Sequence, residues 1–110
     1  MTIIVGRRHI VGDVAGLVAR LEALVTDLER LATGDRPSIA ELARAPLLDP
    51  VGFGTRELPC LVGGNQGHPF LTGPVIKTSD VWALSLDLGW ARTLSRYYRL
   101  GRVLAPGERP

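Results

Sequence analysis

Residues 13–34 read DVAGLVARLEALVTDLERLATG and carry the strongest structural signal in this sequence. Their apolar residues recur at spacings of three and four, which places them on one stripe of an α-helix. The stripe consists of Val14, Leu17, Leu21, Leu24, Leu28 and Leu31, widened by Val18, Val25 and Ala32. Asp13 is suited to cap the N-terminus, and Gly34 is suited to end the helix. The pattern predicts a helix over residues 13–33.

The apolar stripe of this helix has two interpretations. Its width, to which Val18 and Val25 contribute, is typical of a helix that packs on the sheet of its own protein. Its a and d positions, within residues 14–31, cover under three heptads and could instead form the seam of a homodimer. We favour packing on the sheet and keep the homodimer as an alternative.

A second, shorter helix is expected directly after the first. Ser38 and Glu41 have the spacing of a capping box, in which the serine side chain caps the first turn. Pro46 ends this helix, because proline cannot continue the helical hydrogen-bond pattern. Residues 46–57 contain two prolines and two glycines and are predicted to form a loop.

Beyond Leu58 the sequence has the composition of strands and turns. The expected strands cover residues 58–62, 75–78, 81–86 and 90–100, with residues 2–5 as a further strand at an edge. The segment 90–100 also fits a helix, because Ala91, Leu94 and Tyr98 share a helical face, and we choose the strand. Residues 63–67 and 87–89 are predicted to be turns, with Gly89 supplying a positive φ. We expect the tail, residues 102–110, to be flexible.

These elements predict an α+β fold in a single domain of residues 1–110. The helical half covers about residues 13–45, and the β half covers about 58–101. We expect the long helix and the short helix to pack on one face of a small antiparallel sheet of three to five strands.

Composition and charge exclude several classes of protein. The chain has 110 residues, of which 45% are hydrophobic and 22% are charged, so it resembles an ordinary globular domain. Cys60 is the only cysteine, which excludes an intrachain disulfide. No apolar run reaches the length of a signal peptide or a membrane span, so we expect a cytoplasmic protein without a membrane partner.

Arginine and tyrosine residues near the C-terminus are the candidate binding residues, because guanidinium groups beside aromatic rings can bind anions and stack on bases. They are Arg92, Arg96, Tyr98, Arg99 and Arg102. If residues 90–100 form one strand, Arg92, Arg96 and Tyr98 share one face, while Tyr97 and Arg99 share the other. These arginines would then not form a single patch.

Catalytic and metal-binding patterns are weak in this sequence. Cys60 and His68 could act as a nucleophile and its base, with Asp80 as the orienting group. A lone cysteine in an apolar run is more often a small hydrophobic residue, and a histidine before Pro69 suits a turn. Ligand spacings typical of zinc sites are missing from the sequence, so we predict no catalytic residues, no metal and no cofactor.

The string GWARTLSRYYRLG at residues 89–101 is the most distinctive of several strings that are similar to a small family of uncharacterised alphaproteobacterial proteins. The others are Gly67-His68-Pro69, Thr78-Ser79, Val81-Trp82-Ala83-Leu84, Leu28-Glu29-Arg30-Leu31 and Ala45-Pro46-Leu47-Leu48. The resemblance covers roughly residues 17–101 and implies a bacterial source, but it implies no catalytic residue.

A small domain with exposed arginine and tyrosine, and without reaction machinery, indicates a non-enzymatic binding protein. We expect it to regulate or block a larger protein or complex, as small regulators and inhibitors from phages and mobile elements do. The alternative is a nucleic-acid-binding module that uses the C-terminal arginine and tyrosine segment. An enzyme based on Cys60 and His68 is the third hypothesis.

Overall fold

The computed structural model describes residues 2–110, which form two helices and six strands. In chain order the elements are β1 (Ile3–Val5), β2 (Ile10–Val11), α1 (Val14–Ala32), α2 (Ile39–Arg44), β3 (Cys60–Gly64), β4 (Val75–Ser85), β5 (Trp90–Thr93) and β6 (Tyr97–Arg99). The α+β class, with one long and one short helix, is confirmed. The predicted count of three to five strands is wrong, because the sheet has six.

The chain divides into two compact units. The sheet unit contains the residues up to Gly12 together with Glu57–Pro110, and the helical unit contains Asp13–Arg56. Their charges differ: the sheet unit has eight Lys or Arg against four Asp or Glu, and the helical unit has five against seven. The single domain and the packing of the helices on the sheet stay predictions.

Local hydrogen bonds fix both ends of α1, as its sequence predicts. The Asp13 carboxylate accepts a hydrogen bond of 2.9 Å from the Gly16 N–H at the first turn. At the other end Gly34 has a φ of +93° and donates to the Leu31 carbonyl, while the next N–H reaches the Arg30 carbonyl. This is a Schellman motif, in which glycine is favoured because the conformation is left-handed.

The start of α2 is tied to the end of α1 by charged side chains. Ser38 caps α2 by accepting a hydrogen bond of 3.0 Å from the Glu41 N–H. Arg30, in the last turn of α1, forms ion pairs of 2.9 Å with Asp35 and 3.3 Å with Glu41. Hydrogen bonding to Arg30 is the largest cause that lowers the pKa of both carboxyl groups. These contacts hold the two helices together within their own unit.

Strand β4 is the centre of the sheet, whose order is β2-β1-β4-β5-β6, with β3 also paired to β4. The pairing of β1 with β4 is parallel, and the other pairings are antiparallel. The prediction that residues 2–5 lie at an edge is wrong, because β2 covers the outer side of β1. Ile3 is accordingly buried opposite Ala83.

The other strand boundaries differ in part from the expected ones. The runs 75–78 and 81–86 belong to one strand, β4, in which the intervening Asp80 pairs with Cys60 of β3. Strand β3 begins at Cys60 and continues through Gly64, so the predicted turn at residues 63–67 is replaced by a longer loop over residues 65–74. The turn before β5 is confirmed, with Gly89 at a φ of +74°.

Candidate binding surface on the β5–β6 hairpin

A side-chain-supported turn separates β5 from β6, so the prediction of one continuous strand over residues 90–100 is wrong. The Thr93 N–H donates to the Arg96 carbonyl at 2.9 Å. The Thr93 hydroxyl oxygen accepts from the N–H groups of Ser95 and Arg96, each at 3.2 Å, and donates to the Arg96 carbonyl at 3.1 Å. A threonine that bonds to nearby backbone can replace the glycine or asparagine of a common turn.

The hairpin brings two arginines and two aromatic residues to one side of the sheet. Trp90 lies opposite Arg99, and Arg92 lies opposite Tyr97. Antiparallel partners share a face, and alternate residues of one strand share a face as well. Trp90, Arg92, Tyr97 and Arg99 therefore form one surface, which we name the Arg-aromatic face.

Side chains of the Arg-aromatic face are stacked on each other. The Arg92 guanidinium carbon lies 5.3 Å from the centre of the Tyr97 ring, within the range of a cation–π contact. The Trp90 and Tyr97 rings meet edge to face, with centres 5.6 Å apart and an angle of 78° between planes. The three side chains support one another, so each has a restricted set of rotamers before any partner arrives.

This face is open to solvent although its members touch. Tyr97 is 67% exposed, Arg99 is exposed, and Trp90 and Arg92 are half-buried. Tryptophan, tyrosine and arginine are the residues most enriched among those that dominate the binding energy of protein interfaces. The face can offer a guanidinium to a carboxylate or phosphate and an aromatic surface to an apolar side chain or a base.

Tyr98 points to the opposite side of the hairpin, where it holds the loop over residues 65–74. It lies opposite Ala91, which is fully buried, and its hydroxyl is 3.1 Å from Nε2 of His68. Nδ1 of His68 accepts hydrogen bonds from the N–H groups of Phe70 and Leu71. Since a neutral imidazole accepts at only one nitrogen, Nε2 carries the hydrogen and donates a hydrogen bond to the Tyr98 hydroxyl oxygen.

Two further arginines of the predicted set have partners within the chain. The Arg96 guanidinium lies 5.3 Å from the centre of the Phe70 ring, and its Nε is buried without a hydrogen-bond partner among residues 2–110. Arg102 forms an ion pair of 2.9 Å with Glu108 in the C-terminal tail. Both contacts occupy side chains that the sequence offered as candidates for binding.

The predicted binding residues therefore do not all lie on one surface. Arg92 and Arg99 lie together on the Arg-aromatic face, whereas Arg96, Tyr98 and Arg102 are engaged elsewhere. Of the predicted groups, Tyr97 and Arg99 do share a face, and Arg96 and Tyr98 both contact the loop over residues 65–74. Arg92 is the residue that was placed wrongly, because the turn after Thr93 reverses the chain and puts Arg92 on the face of Tyr97.

Sequence reasoning missed Trp90 as a member of this surface and His68 as the support of the opposite side. The string from Trp90 to Tyr98 contains no glycine, proline, asparagine or aspartate that would indicate a hairpin. The Trp90 and Tyr97 contact depends on that hairpin, and the His68 and Tyr98 contact joins residues 30 positions apart. The pairing of Arg92 with Tyr97 would have followed from the correct turn.

The residues of the enzyme hypothesis are Cys60, His68 and Asp80. Cys60 is exposed and lies opposite Asp80 in the β3–β4 ladder. Both ring nitrogens of His68 form hydrogen bonds, one with Tyr98 and the other with the loop backbone.

Within residues 2–110, no group of three or more His, Cys, Asp or Glu side chains is arranged to hold a metal ion. The described helices are all too short or too polar to cross a membrane.

In comparison with known proteins, residues 22–108 match the model of a family of unknown function, DUF6634. This agrees with the resemblance of the chain to an uncharacterised family. No curated protein and no solved structure matches the chain.

Proposed function

Because the chain belongs to DUF6634, a family of unknown function, we propose an activity from its own surface: non-enzymatic binding to a larger protein. The Arg-aromatic face docks on an acidic patch of that protein and thereby regulates or blocks it. The observation that carries the proposal is the solvent-exposed stack of Arg92 on Tyr97 beside Trp90.

The stack suits protein binding because it is organised before the partner arrives. Ordering a flexible side chain at an interface costs about 0.5–1.5 kcal/mol, and a side chain already held in place avoids part of that cost. The Arg92 guanidinium, whose carbon lies over the Tyr97 ring, can donate two hydrogen bonds to one carboxylate. Arg92 is therefore the expected anchor for an acidic side chain.

The charge of the surrounding unit favours an acidic partner. The sheet unit has eight basic and four acidic residues, and Arg99 lies on the same face as Arg92. An excess of one sign raises the rate of encounter with the opposite sign and disfavours partners of like charge. The partner surface should therefore combine carboxylates with an apolar contact for Trp90 and Tyr97.

Nucleic acid is the second candidate partner, because two arginines and two aromatic rings share one face. Single-stranded nucleic acid is bound by such combinations of cations and stacking rings. However, the Arg92 guanidinium covers one face of the Tyr97 ring, and Tyr98 is held by His68. Fewer free ring faces remain for bases than the sequence suggested, so we favour the protein partner.

The test is a pull-down from a bacterial lysate with three forms of the tagged chain: wild type, the double variant Arg92→Ala with Tyr97→Ala, and Arg7→Ala. Arg7 is a matched control, because it is an exposed arginine of the sheet unit that forms no ion pair within residues 2–110. Each lysate is divided into a nuclease-treated and an untreated half, and captured proteins are identified by mass spectrometry.

We expect one protein to be captured in both halves by wild type and Arg7→Ala, and to be lost with the double variant. Capture that disappears after nuclease treatment would instead support nucleic acid, as would binding that weakens steeply with salt. A protein captured equally by all three forms would contradict the role of the Arg-aromatic face.

A further inference from the structure

The apolar stripe of α1 forms a regular heptad seam along the whole helix. Residues 14, 21 and 28 are its a positions, and residues 17, 24 and 31 are its d positions. None of the helix residues is buried, and Leu24 and Leu28 are each 53% exposed. Such a seam is built to receive a second helix, and the charges beside it indicate which one.

The two flanks of the seam differ in character. One flank has the apolar e positions Val18 and Val25, and the other has the charged g positions Arg20 and Asp27. Neither of these charged residues belongs to an ion pair within residues 2–110. Arg30, one turn from Asp27, is taken by Asp35 and Glu41. Arg20 and Asp27 are about 10 Å apart along the axis, too far to pair with each other.

An antiparallel second copy of α1 provides a matching partner for both the charged flank and the apolar flank. When Leu21 lies opposite Leu24 of the second copy, every other a residue also lies opposite a d residue of that copy. In this arrangement g faces g and e faces e. Arg20 then meets Asp27 of the second copy, twice by symmetry, and Val18 meets Val25 on the other flank.

A parallel pair does not give this match, because g then faces e. Arg20 would lie beside Val25, and Asp27 would lie beside Ala32, so both charges would face apolar residues. The antiparallel arrangement also places its two-fold axis between residues 22 and 23, close to the middle of α1, so nearly the whole helix overlaps.

We propose that α1 binds a second copy of this chain as an antiparallel helix pair, with Arg20 of each copy opposite Asp27 of the other. This inference takes the homodimer alternative for the stripe in place of packing on the sheet, and it is independent of the partner proposed for the Arg-aromatic face. A seam of under three heptads gives a weak association, so the dimer should form reversibly as protein concentration rises.

The test is sedimentation velocity of the full chain over about 1 µM to about 1 mM. Four samples are compared with wild type: Arg20→Asp, Asp27→Arg, an equal mixture of these two variants, and the double variant that carries both changes. Glu22→Arg is the control, since it reverses a charge on α1 outside the a, d, e and g positions. Circular dichroism verifies that each variant keeps its helix.

We expect wild type and Glu22→Arg to dimerise and each single variant to dimerise about 4- to 30-fold more weakly, because two attractive pairs become two repulsive ones. The equal mixture and the double variant should recover dimerisation, since each restores opposite charges across the seam. A monomer at all concentrations would overturn the proposal and indicate that the stripe is covered within the chain. Dimerisation without the charge-swap recovery would overturn the antiparallel arrangement.

Discussion

Replacing Thr93 by valine should destabilise the sheet unit by about 2 kcal/mol. Thr93 is 1% exposed, and its hydroxyl takes part in three hydrogen bonds that close the β5–β6 turn. Valine has the same shape but no hydroxyl, so packing is kept and only these bonds are removed. Each is worth about 0.5–1.5 kcal/mol, and the exposed Ser95 N–H can turn to water, which reduces the sum.

The assay is urea unfolding followed by tryptophan fluorescence, because both tryptophans, Trp82 and Trp90, lie in the sheet unit. A loss of about 2 kcal/mol in a unit of this size also lowers Tm by roughly 10 °C. Thr72→Val, at an exposed threonine of the sheet unit, is the matched control and should change stability by less than about 0.5 kcal/mol. A Thr93→Val protein as stable as wild type would refute the assignment of the turn to this hydroxyl.

Further substitutions and a pH series test other parts of the structure. Gly89→Ala should cost about 1–2 kcal/mol, since the residue has a φ of +74°, and an unchanged urea midpoint would contradict this backbone conformation. Asp13→Ala should cost the helical unit about 1 kcal/mol through loss of the cap, measured as the thermal transition of the far-ultraviolet circular dichroism signal. Arg30 lowers the pKa of Asp35 and Glu41 below their ordinary values of 3.8 and 4.5, so their stabilising contribution is present at neutral pH and is lost as the pH falls through and below these values. Helicity of an Arg30→Ala variant should therefore depend less on pH across this range than that of wild type, and equal dependence would count against the ion pairs.

Helix α1 could be predicted to within one residue, because its signals are local. The period of its apolar residues, the Asp13 cap and Gly34 all lie within the helix or beside it. The Gly89 turn was predicted for the same reason. Helix and turn signals of this kind can be recognised in a sequence, because the residues that produce the structure lie within it or next to it.

The sheet topology and half of the candidate surface depend on contacts that are distant in sequence. Strand β1 pairs in parallel with β4, some 80 residues away, and the three residues of β1 cannot indicate that partner. The turn after Thr93 lacks glycine, proline and asparagine, so Arg92 was assigned to the wrong face. One missed turn changed which side chains share a surface, because the facing of residues alternates along a strand.

Hydrogen exchange on the captured complex tests most directly whether the Arg-aromatic face is the binding surface. The chain is measured alone and together with the protein retained after nuclease treatment. We predict that amide protection on binding concentrates in the hairpin from Trp90 to Arg99, with little change in α2. Protection confined to the helical unit, with the hairpin unchanged, would contradict the account.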